Sequence, residues 1–387
     1  MSPNPAVTIP SKRTSLATVL LRAVSVVLLL LVFLVGVKGL GDGFKLLGRD
    51  LLEAFFSATE NPFIALMVGV LATTLVQSSS VTTAMVVGLV AAPENPLPVA
   101  NAVPMIMGAN IGTTVTNTIV SLGHVARRDE FQRAFAVATC HDFFNFITVA
   151  VLLPLELATG YLQRTAAFLA ASLGEVGGVT YESPLKALLK AGVTPVKQLG
   201  KALFTGERAQ GFLVILVSAV LIYLALLLLV RVMRSAVQTR VELFITRFLD
   251  INLVLSIVTG ALVTVMVQSS SITTSLLVPL AGAGIVTLRQ AFPITIGANI
   301  GTTVTALLAS LAASGVNARA GIVIALVHLL FNLTGTLMVM PAPAIRNIPM
   351  FAAERLAAVA VHSRRWALIY VMILFYGVPA ACAFLFR

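Results

Sequence analysis

Charged residues are scarce in this chain: they make up 11% of its 387 residues, against 58% hydrophobic residues. A soluble domain carries about a quarter charged residues, so most of this chain is predicted to lie in lipid. Backbone polar groups in lipid must be hydrogen-bonded internally, which leaves helices or a closed barrel. Long apolar runs without alternation favour helices. The sequence therefore predicts an all-α, polytopic membrane protein.

Acidic residues are fewer than basic ones, 15 Asp and Glu against 26 Lys and Arg, so the net charge is +11. The basic residues form no patch interleaved with aromatic residues, which excludes nucleic acid as a partner. They lie instead at the ends of apolar stretches, and the positive-inside rule places them on the cytoplasmic side, together with an N-terminus that carries Lys12 and Arg13. The groups are Arg127, Arg128 and Arg133; Arg231, Arg234, Arg240 and Arg247; and Arg346, Arg355, Arg364 and Arg365.

Cysteine is also rare. Cys140 and Cys382 both fall in or beside apolar stretches, where a free thiol behaves as a small hydrophobe, so no disulfide framework is predicted. The basic N-terminus and the apolar run after it could imitate a signal peptide. No small-residue cleavage pattern follows, so we interpret the run as a retained first span.

Nine apolar stretches divide into two kinds. Five are continuous and reach the length of about 20 residues that a helix needs to cross a bilayer. The other four are broken by Gly, Pro and hydroxyl residues, which is typical of discontinuous helices or re-entrant hairpins. The continuous stretches are 18–40, 132–153, 211–233, 319–341 and 366–386, and the broken ones are 61–92, 97–123, 251–288 and 290–314.

Three motifs, QSSS[VI]TT, GANIGTTVT and H-x-x-F-N, occur twice in the same order and at nearly the same spacing. The chain therefore contains two copies of one unit. The loop after the first GANIGTTVT (124–133) has three arginines and the loop after the second (313–319) has one, which predicts copies of opposite orientation. Many secondary transporters have this architecture, with the site at the membrane midplane between the halves.

The polar linker at 155–210 is predicted to be an outer loop that contains short amphipathic helices. The predicted divisions are 1–49 (N-terminal tail and first span), 50–154 (repeat 1), 155–239 (external loop and linking span), 240–341 (repeat 2) and 342–387 (cytoplasmic loop and C-terminal span).

The QSSS motifs place amide and hydroxyl groups in stretches apolar enough for a bilayer. Such groups are unfavourable in hydrocarbon unless they have partners. One or two hydroxyls would be explained by contacts between helices, but two matched clusters of six favour the lining of a polar cavity. A break at such a site exposes N–H groups that suit an anion and oxygens that suit sodium. The clusters are Gln77, Ser78, Ser79, Ser80, Thr82 and Thr83, and Gln268, Ser269, Ser270, Ser271, Thr273 and Thr274.

The other two motifs are candidates for support. The glycines of GANIGTTVT allow either close helix packing or a broken helix, while its Asn and Thr side chains supply oxygen. The H-x-x-F-N motif places His and Asn on one helical face, where a packed hydrogen bond between helices is favoured over substrate contact. The candidates are Asn110, Thr113, Thr114, Thr116, His141 and Asn145, and Asn299, Thr302, Thr303, Thr305, His328 and Asn332.

Lysine and arginine are missing from both QSSS regions. A polyanion bound there would have to be neutralised by helix dipoles, by N–H and O–H donors, and by cations bound with it. This is a physical reason to expect coupling to cations.

These paired motifs resemble the type II sodium–phosphate cotransporter family. The first-half segments that carry the resemblance are "GANIGTTVTNTIVSL" and "DEFQRAFAVATCHDFFNF", and the second-half segments are "QSSSITTSLLVPLAGAGIV" and "PITIGANIGTTVTALLA". The resemblance covers residues 20–375 and is closest in length to the short bacterial members. It implies a transporter rather than an enzyme. The implied activity is sodium-driven uptake of inorganic phosphate by alternating access across the inner cell membrane, with sodium as co-substrate and no other cofactor.

Carried over by position, the resemblance implies that the two QSSS motifs hold phosphate and sodium, with sodium bound by Ser, Thr, Gln and Asn oxygens and by backbone carbonyls. Arg127 stands where some electrogenic members have an acidic residue tied to an extra sodium ion, so that ion is not implied here. Three alternatives stay open: a symporter of another oxyanion such as sulfate or arsenate, a passive anion channel, and an intramembrane serine hydrolase. The sequence does not indicate an oligomeric state.

Overall fold

The computed structural model describes residues 16–46, 59–175, 184–248, 252–311 and 316–385, and the regular elements in these ranges are all helical. The α-helices are α1 (Leu16–Leu46), α2 (Pro62–Val76), α3 (Ser79–Val90), α4 (Val99–Thr113), α5 (Val115–Ser121), α6 (Arg128–Thr159), α7 (Tyr161–Glu175), α8 (Pro184–Leu203), α9 (Glu207–Phe248), α10 (Leu253–Val267), α11 (Ser270–Gly282), α12 (Leu288–Ser310), α13 (Ala318–Val339), α14 (Pro343–His362), α15 (Arg364–Val371) and α16 (Val378–Leu385). A 3-10 turn occupies Leu122–His124, and a π-helical segment, Met372–Gly377, joins α15 to α16.

Six helices of the described chain are long and apolar enough to cross a membrane. Five of them overlap the continuous stretches predicted from the sequence, which confirms an all-α, polytopic membrane protein. The sixth is α12, a continuous helix of 23 residues in a stretch that was predicted to be broken. The apolar helices α2, α3, α10 and α11 are too short to cross a bilayer.

Two of the interrupted stretches fold into helical hairpins. Gln77 ends α2 and Gln268 ends α10, both in the left-handed conformation, with φ of 57° and 56°. The next residues, Ser78 and Ser269, are extended and cap the N-termini of α3 and α11. The chain therefore reverses at each QSSS motif, as predicted for stretches that Gly, Pro and hydroxyl residues interrupt. We call α2–α3 hairpin 1 and α10–α11 hairpin 2.

The first helix of each hairpin packs closely on the helix that carries GANIGTTVT. A Cβ atom built at Gly69 would stand 2.1 Å from the carbonyl oxygen of Met105, and one at Gly108 would stand 2.0 Å from that of Leu66. The equivalent contact at Gly297 is equally tight. The glycines therefore permit close backbone approach, one of the two roles that the sequence left open.

The contacts also give the direction of each hairpin. Gly69 lies beside Met105 and Gly112 lies beside Thr73, so α2 and α4 run parallel. Helix α3 then returns toward the start of α4, which begins a few residues after α3 ends. Both ends of hairpin 1 consequently lie near the start of α4, and hairpin 2 has the same relation to α12. Each hairpin is re-entrant in this sense.

The two hairpins end at opposite ends of the spanning helix α12. The guanidinium of Arg133 donates to the carbonyl of Gly282 at 2.6 Å, at the end of hairpin 2 and just before α12 begins. The side chain of Asn317 donates to the carbonyl of Ala92 at 2.6 Å, next to the end of hairpin 1 and just after α12 ends. Helix α12 is about 34 Å long, so this geometry supports the predicted inversion of the repeats.

The linker between the repeats contains two short helices, α7 and α8, and the long helix α9. Amphipathic helices were predicted here, and α8 is held to α1 by Asp42, which accepts from Lys38 at 2.8 Å and pairs with Lys197 at 2.6 Å. Helix α9 packs antiparallel on α1, with Ile222 against Gly36 and residues nearer its start against Gly43. The predicted boundary at 239/240 falls within α9.

The stretch at 342–365, expected to be a loop, is mostly the 20-residue helix α14. Its residues Ala357 and Ala360 are buried against Phe131 and Phe135 of α6. The small alanine side chains let α14 lie closely along α6.

Candidate functional site

One cavity of about 320 Å³ lies between the tips of the two hairpins. Both QSSS motifs line it, although they are separated by nearly two hundred residues in the chain. We call it the tip cavity. Its lining residues are Val76, Gln77, Ser78, Ser79, Ser80, Val81, Tyr223, Leu227, Arg231, Gln268, Ser269, Ser270 and Ser271.

Two helix N-termini border the tip cavity. Ser78 accepts from the backbone N–H of Val81 at 3.3 Å, and Ser269 accepts from that of Ile272 at 3.4 Å, so these serines cap α3 and α11. A cap satisfies only one of the four free N–H groups at a helix start. The N–H groups that stay uncapped belong to serines that line the cavity, and the positive ends of two helix dipoles lie at its border, an arrangement suited to an anion.

The amide nitrogen and the amide oxygen of each tip glutamine are both hydrogen-bonded. Gln77 donates to the carbonyl of Thr74 at 2.5 Å and accepts from Thr116 at 3.0 Å. Gln268 donates to Val265 at 2.7 Å and accepts from Thr305 at 3.5 Å. The last threonine of each GANIGTTVT motif thus positions the glutamine of its own repeat.

The threonines that follow each QSSS lie behind the cavity lining. Thr82 and Thr273 each donate to the carbonyl of the capping serine, both at 3.3 Å. Thr274 donates to Asn117 of α5 at 2.8 Å, which links hairpin 2 to repeat 1. Thr83 is buried within hairpin 1. The glutamines and serines are therefore the side chains that could contact a ligand inside the cavity.

The threonines of GANIGTT bond to their own helices. Thr113 donates to Ala109 at 2.8 Å, Thr114 to Ile111 at 2.9 Å, Thr302 to Ala298 at 3.0 Å and Thr303 to Ile300 at 2.7 Å. These four hydroxyls are thereby satisfied away from the tip cavity.

A buried asparagine cluster, Asn110, Asn145, Asn299 and Asn332, joins the two repeats. The Asn332 amide donates to Asn110 Oδ1 at 3.1 Å and accepts from Asn299 at 2.6 Å. Asn299 also reaches Asn145 Oδ1 at 3.3 Å, and Asn145 donates to the backbone carbonyl of Asn110 at 2.9 Å. The GANIGTTVT asparagine of each repeat therefore meets the H-x-x-F-N asparagine of the other.

The histidines of the H-x-x-F-N motifs are buried and lie outside the cavity lining. His328 Nε2 lies 3.3 Å from Asn110 Oδ1, beside the asparagine cluster. His141 is buried in α6. The acid next to it, Asp142, accepts from Tyr370 at 2.7 Å and from Thr118 at 3.5 Å. These contacts place the H-x-x-F-N motifs in the packed core between the repeats.

Replacing Asn332 with alanine is expected to lower the free energy of unfolding by about 2–3 kcal/mol, because it removes one hydrogen-bond partner from each of the buried amides of Asn110 and Asn299. Thermal unfolding of the purified protein in detergent measures the change. Asn347→Ala is the matched control, since Asn347 is exposed on α14. An Asn332→Ala protein that unfolds at the wild-type temperature would contradict a structural role for the cluster.

Three lining residues from outside the hairpins were missed by the sequence analysis: Tyr223, Leu227 and Arg231 of α9. They follow one another at four-residue intervals and so share one face of that helix. Helix α9 lies outside both repeated motifs, and only the spacing of these residues could have suggested a shared face.

The described residues contain no group of three or more His, Cys, Asp or Glu side chains that could hold a metal ion. The available ligands at the tip cavity are neutral oxygens from hydroxyls, amides and backbone carbonyls. Such ligands suit a weakly bound, hard monovalent cation better than a resident transition metal.

A polytopic helical protein in which two re-entrant hairpins of a repeated unit share one cavity has the architecture of a secondary transporter. The sequence model of the Na+/Pi-cotransporter family matches residues 32–173 and 220–350, which is more than half of the chain. The chain belongs to this family. The predicted resemblance is confirmed, and the family is one of transporters rather than enzymes.

Curated relatives agree with this assignment. Sodium-dependent phosphate transport protein 2B of Homo sapiens is 33% identical over an alignment that covers 88% of this chain and 61% of the relative. The 2B protein of Pongo abelii is also 33% identical, and the chain spans 62% of its length. Protein 2A of Rattus norvegicus is 32% identical over 95% of this chain and 68% of the relative. No solved structure matches significantly.

Proposed function

We propose that this protein is a sodium-coupled symporter that takes up inorganic phosphate by alternating access, with anion and sodium bound in the tip cavity. The main support is that both QSSS motifs line one cavity. The family and the names of the relatives support sodium and phosphate as the transported pair.

The chemistry of the cavity suits a tetrahedral oxyanion. The helix starts at Ser79 and Ser270 offer backbone N–H donors, and the serine hydroxyls can donate to further oxygens. Each helix dipole contributes about half a positive charge at its N-terminus, which falls short of neutralising a divalent phosphate. Sodium ions, bound by the amide and hydroxyl oxygens of the same motifs, would offset the remaining charge.

Alternating access is supported by the inverted arrangement of the hairpins. Hairpin 1 and hairpin 2 approach the cavity from opposite ends of α12, so exposure can switch sides by movement of one hairpin unit against the other. The hydrogen bond from Ser80 of hairpin 1 to Thr305 of α12 is long, at 3.4 Å, and so is a weak link between hairpin 1 and repeat 2. We further propose that residues 50–154 and 240–341 are the two moving repeats, and that the protein lies in the inner membrane with a cytoplasmic N-terminus.

The test is uptake of radiolabelled phosphate by purified protein in lipid vesicles, with and without an inward sodium gradient and an imposed voltage. We expect concentrative uptake that requires sodium. Uptake that ignores sodium and only follows the phosphate gradient would contradict symport and indicate a channel. Full competition by sulfate or arsenate would reassign the substrate, and labelling by serine-directed probes would favour a hydrolase.

A further inference from the structure

Among the described residues that line the tip cavity, Arg231 is the one that is charged. It comes from α9, outside both repeats, and shares its helical face with Tyr223 and Leu227. Its side chain is exposed, and no acidic residue in the described ranges pairs with it. The positive-inside rule alone would explain an arginine at the end of a span, whereas an arginine within the span needs a functional explanation. The depth of Arg231 therefore decides between a topological and a functional role.

The packing of α9 on α1 indicates that depth. Ile222 lies against Gly36, with its Cγ1 2.7 Å from a Cβ atom built there, and the two helices run antiparallel. Arg231 is nine residues further along the unbroken helix α9, or about 14 Å. From Gly36 the uncharged part of α1 continues to Ala23, next to Arg22, which is about 20 Å. Arg231 therefore lies beside the uncharged part of α1, about 6 Å before that part ends at Arg22.

An arginine at such a depth is unfavourable unless it faces protein or a water-filled cavity, and it is usually functional. A guanidinium offers several N–H donors in one plane and binds phosphate-like oxyanions through paired hydrogen bonds. The other described residues of the lining offer neutral side chains and helix N-termini. Arg231 supplies the one full positive charge that both QSSS motifs lack.

We propose that Arg231 is an anion-recognition residue of the tip cavity, whose guanidinium contacts the transported oxyanion when the cavity is open toward α9. This inference rests on the proposed function, in which the tip cavity carries an oxyanion. It also makes the site asymmetric, because hairpins 1 and 2 contribute matched neutral groups while the charge comes from a helix that belongs to neither. Recognition from the two sides of the membrane would then differ in affinity.

The test compares Arg231→Gln, Arg231→Lys and the wild-type protein in lipid vesicles at saturating sodium, together with equilibrium binding of inorganic phosphate to the purified proteins in detergent. Loss of a charge-assisted contact is expected to raise the phosphate KM and Kd of Arg231→Gln about tenfold. The maximal rate, the sodium dependence and the thermal unfolding should stay close to wild type. Arg231→Lys should recover most of the affinity because it keeps the charge.

Arg208→Gln is the matched control, since Arg208 lies on the same helix but outside the cavity lining, and it should leave the phosphate KM unchanged. An Arg231→Gln protein with wild-type KM and Kd would overturn the inference. A variant whose only defects are a lower yield of folded protein or a lower maximal rate would overturn it as well. The wild-type protein separates the two proposals. If it shows no sodium-driven phosphate uptake, the proposed function fails, whereas normal uptake with an unaffected Arg231→Gln variant rejects the role of Arg231 alone.

Discussion

Replacing Ser79 and Ser270 together with alanine is expected to remove nearly all sodium-dependent phosphate uptake while the protein stays folded. Both serines are buried, with 5% and 4% of their surface exposed, and both line the tip cavity. Among the described residues no group is hydrogen-bonded to either hydroxyl. Their removal therefore leaves no protein group without a partner, while the anion loses two donors.

The expected loss of uptake follows from the negative charge of the transported phosphate. A hydrogen bond to a charged group contributes about 1.5–3 kcal/mol, so each single variant should raise the phosphate KM by about tenfold or more, and the pair by about a hundredfold. Initial uptake rates at several phosphate concentrations, measured at saturating sodium, give these values.

The control for the serine variants is Ser275→Ala. Ser275 lies on α11, outside the cavity lining, and donates to Asn117 at 3.3 Å, an atom that Thr274 also reaches. This variant should transport normally. The capping serines Ser78 and Ser269 are poorer choices, because their removal also weakens the starts of α3 and α11. Wild-type uptake by the Ser79→Ala, Ser270→Ala double variant would contradict the assignment of the site.

Replacing Gly297 with leucine is expected to prevent folding, and even Gly297→Ala should lower the free energy of unfolding by about 3 kcal/mol. A Cβ atom at this position would stand 1.9 Å from the carbonyl oxygen of Ile257. The obstacle is backbone of α10, so no side-chain rotation can relieve it. Because α10 leads directly to the hairpin tip, any shift that makes room would also displace the second QSSS motif.

Size-exclusion chromatography and thermal unfolding in detergent measure this effect. Gly123→Ala is the matched control, since a Cβ atom at Gly123 has no neighbour within 4 Å. The control should behave like the wild type, whereas Gly297→Leu should give aggregated or degraded protein. A Gly297→Ala protein as stable as Gly123→Ala would show that α10 and α12 can separate without loss, and would refute the packing role of the glycine.

Much of the architecture was predictable because the relevant signals are local. A left-handed glutamine followed by a capping serine ends one helix and starts the next, and a motif that occurs twice must make the same break twice. The lengths of the continuous apolar stretches are also a local signal, and they predicted the membrane spans. Local pattern was a poorer guide to GANIGTTVT: the same nine residues are interrupted at Thr114 in repeat 1 and continue through α12 in repeat 2.

From the sequence alone we could predict a helical membrane protein with two copies of one unit, the reversal at each QSSS motif, and the family. The folded structure was needed to show that both tips line one cavity, that the neighbouring threonines lie behind it, that the four asparagines pair across the repeats, and that Arg231 reaches the cavity from α9. Helical periodicity shows which residues share a face, but the partner of that face depends on packing between segments far apart in the chain.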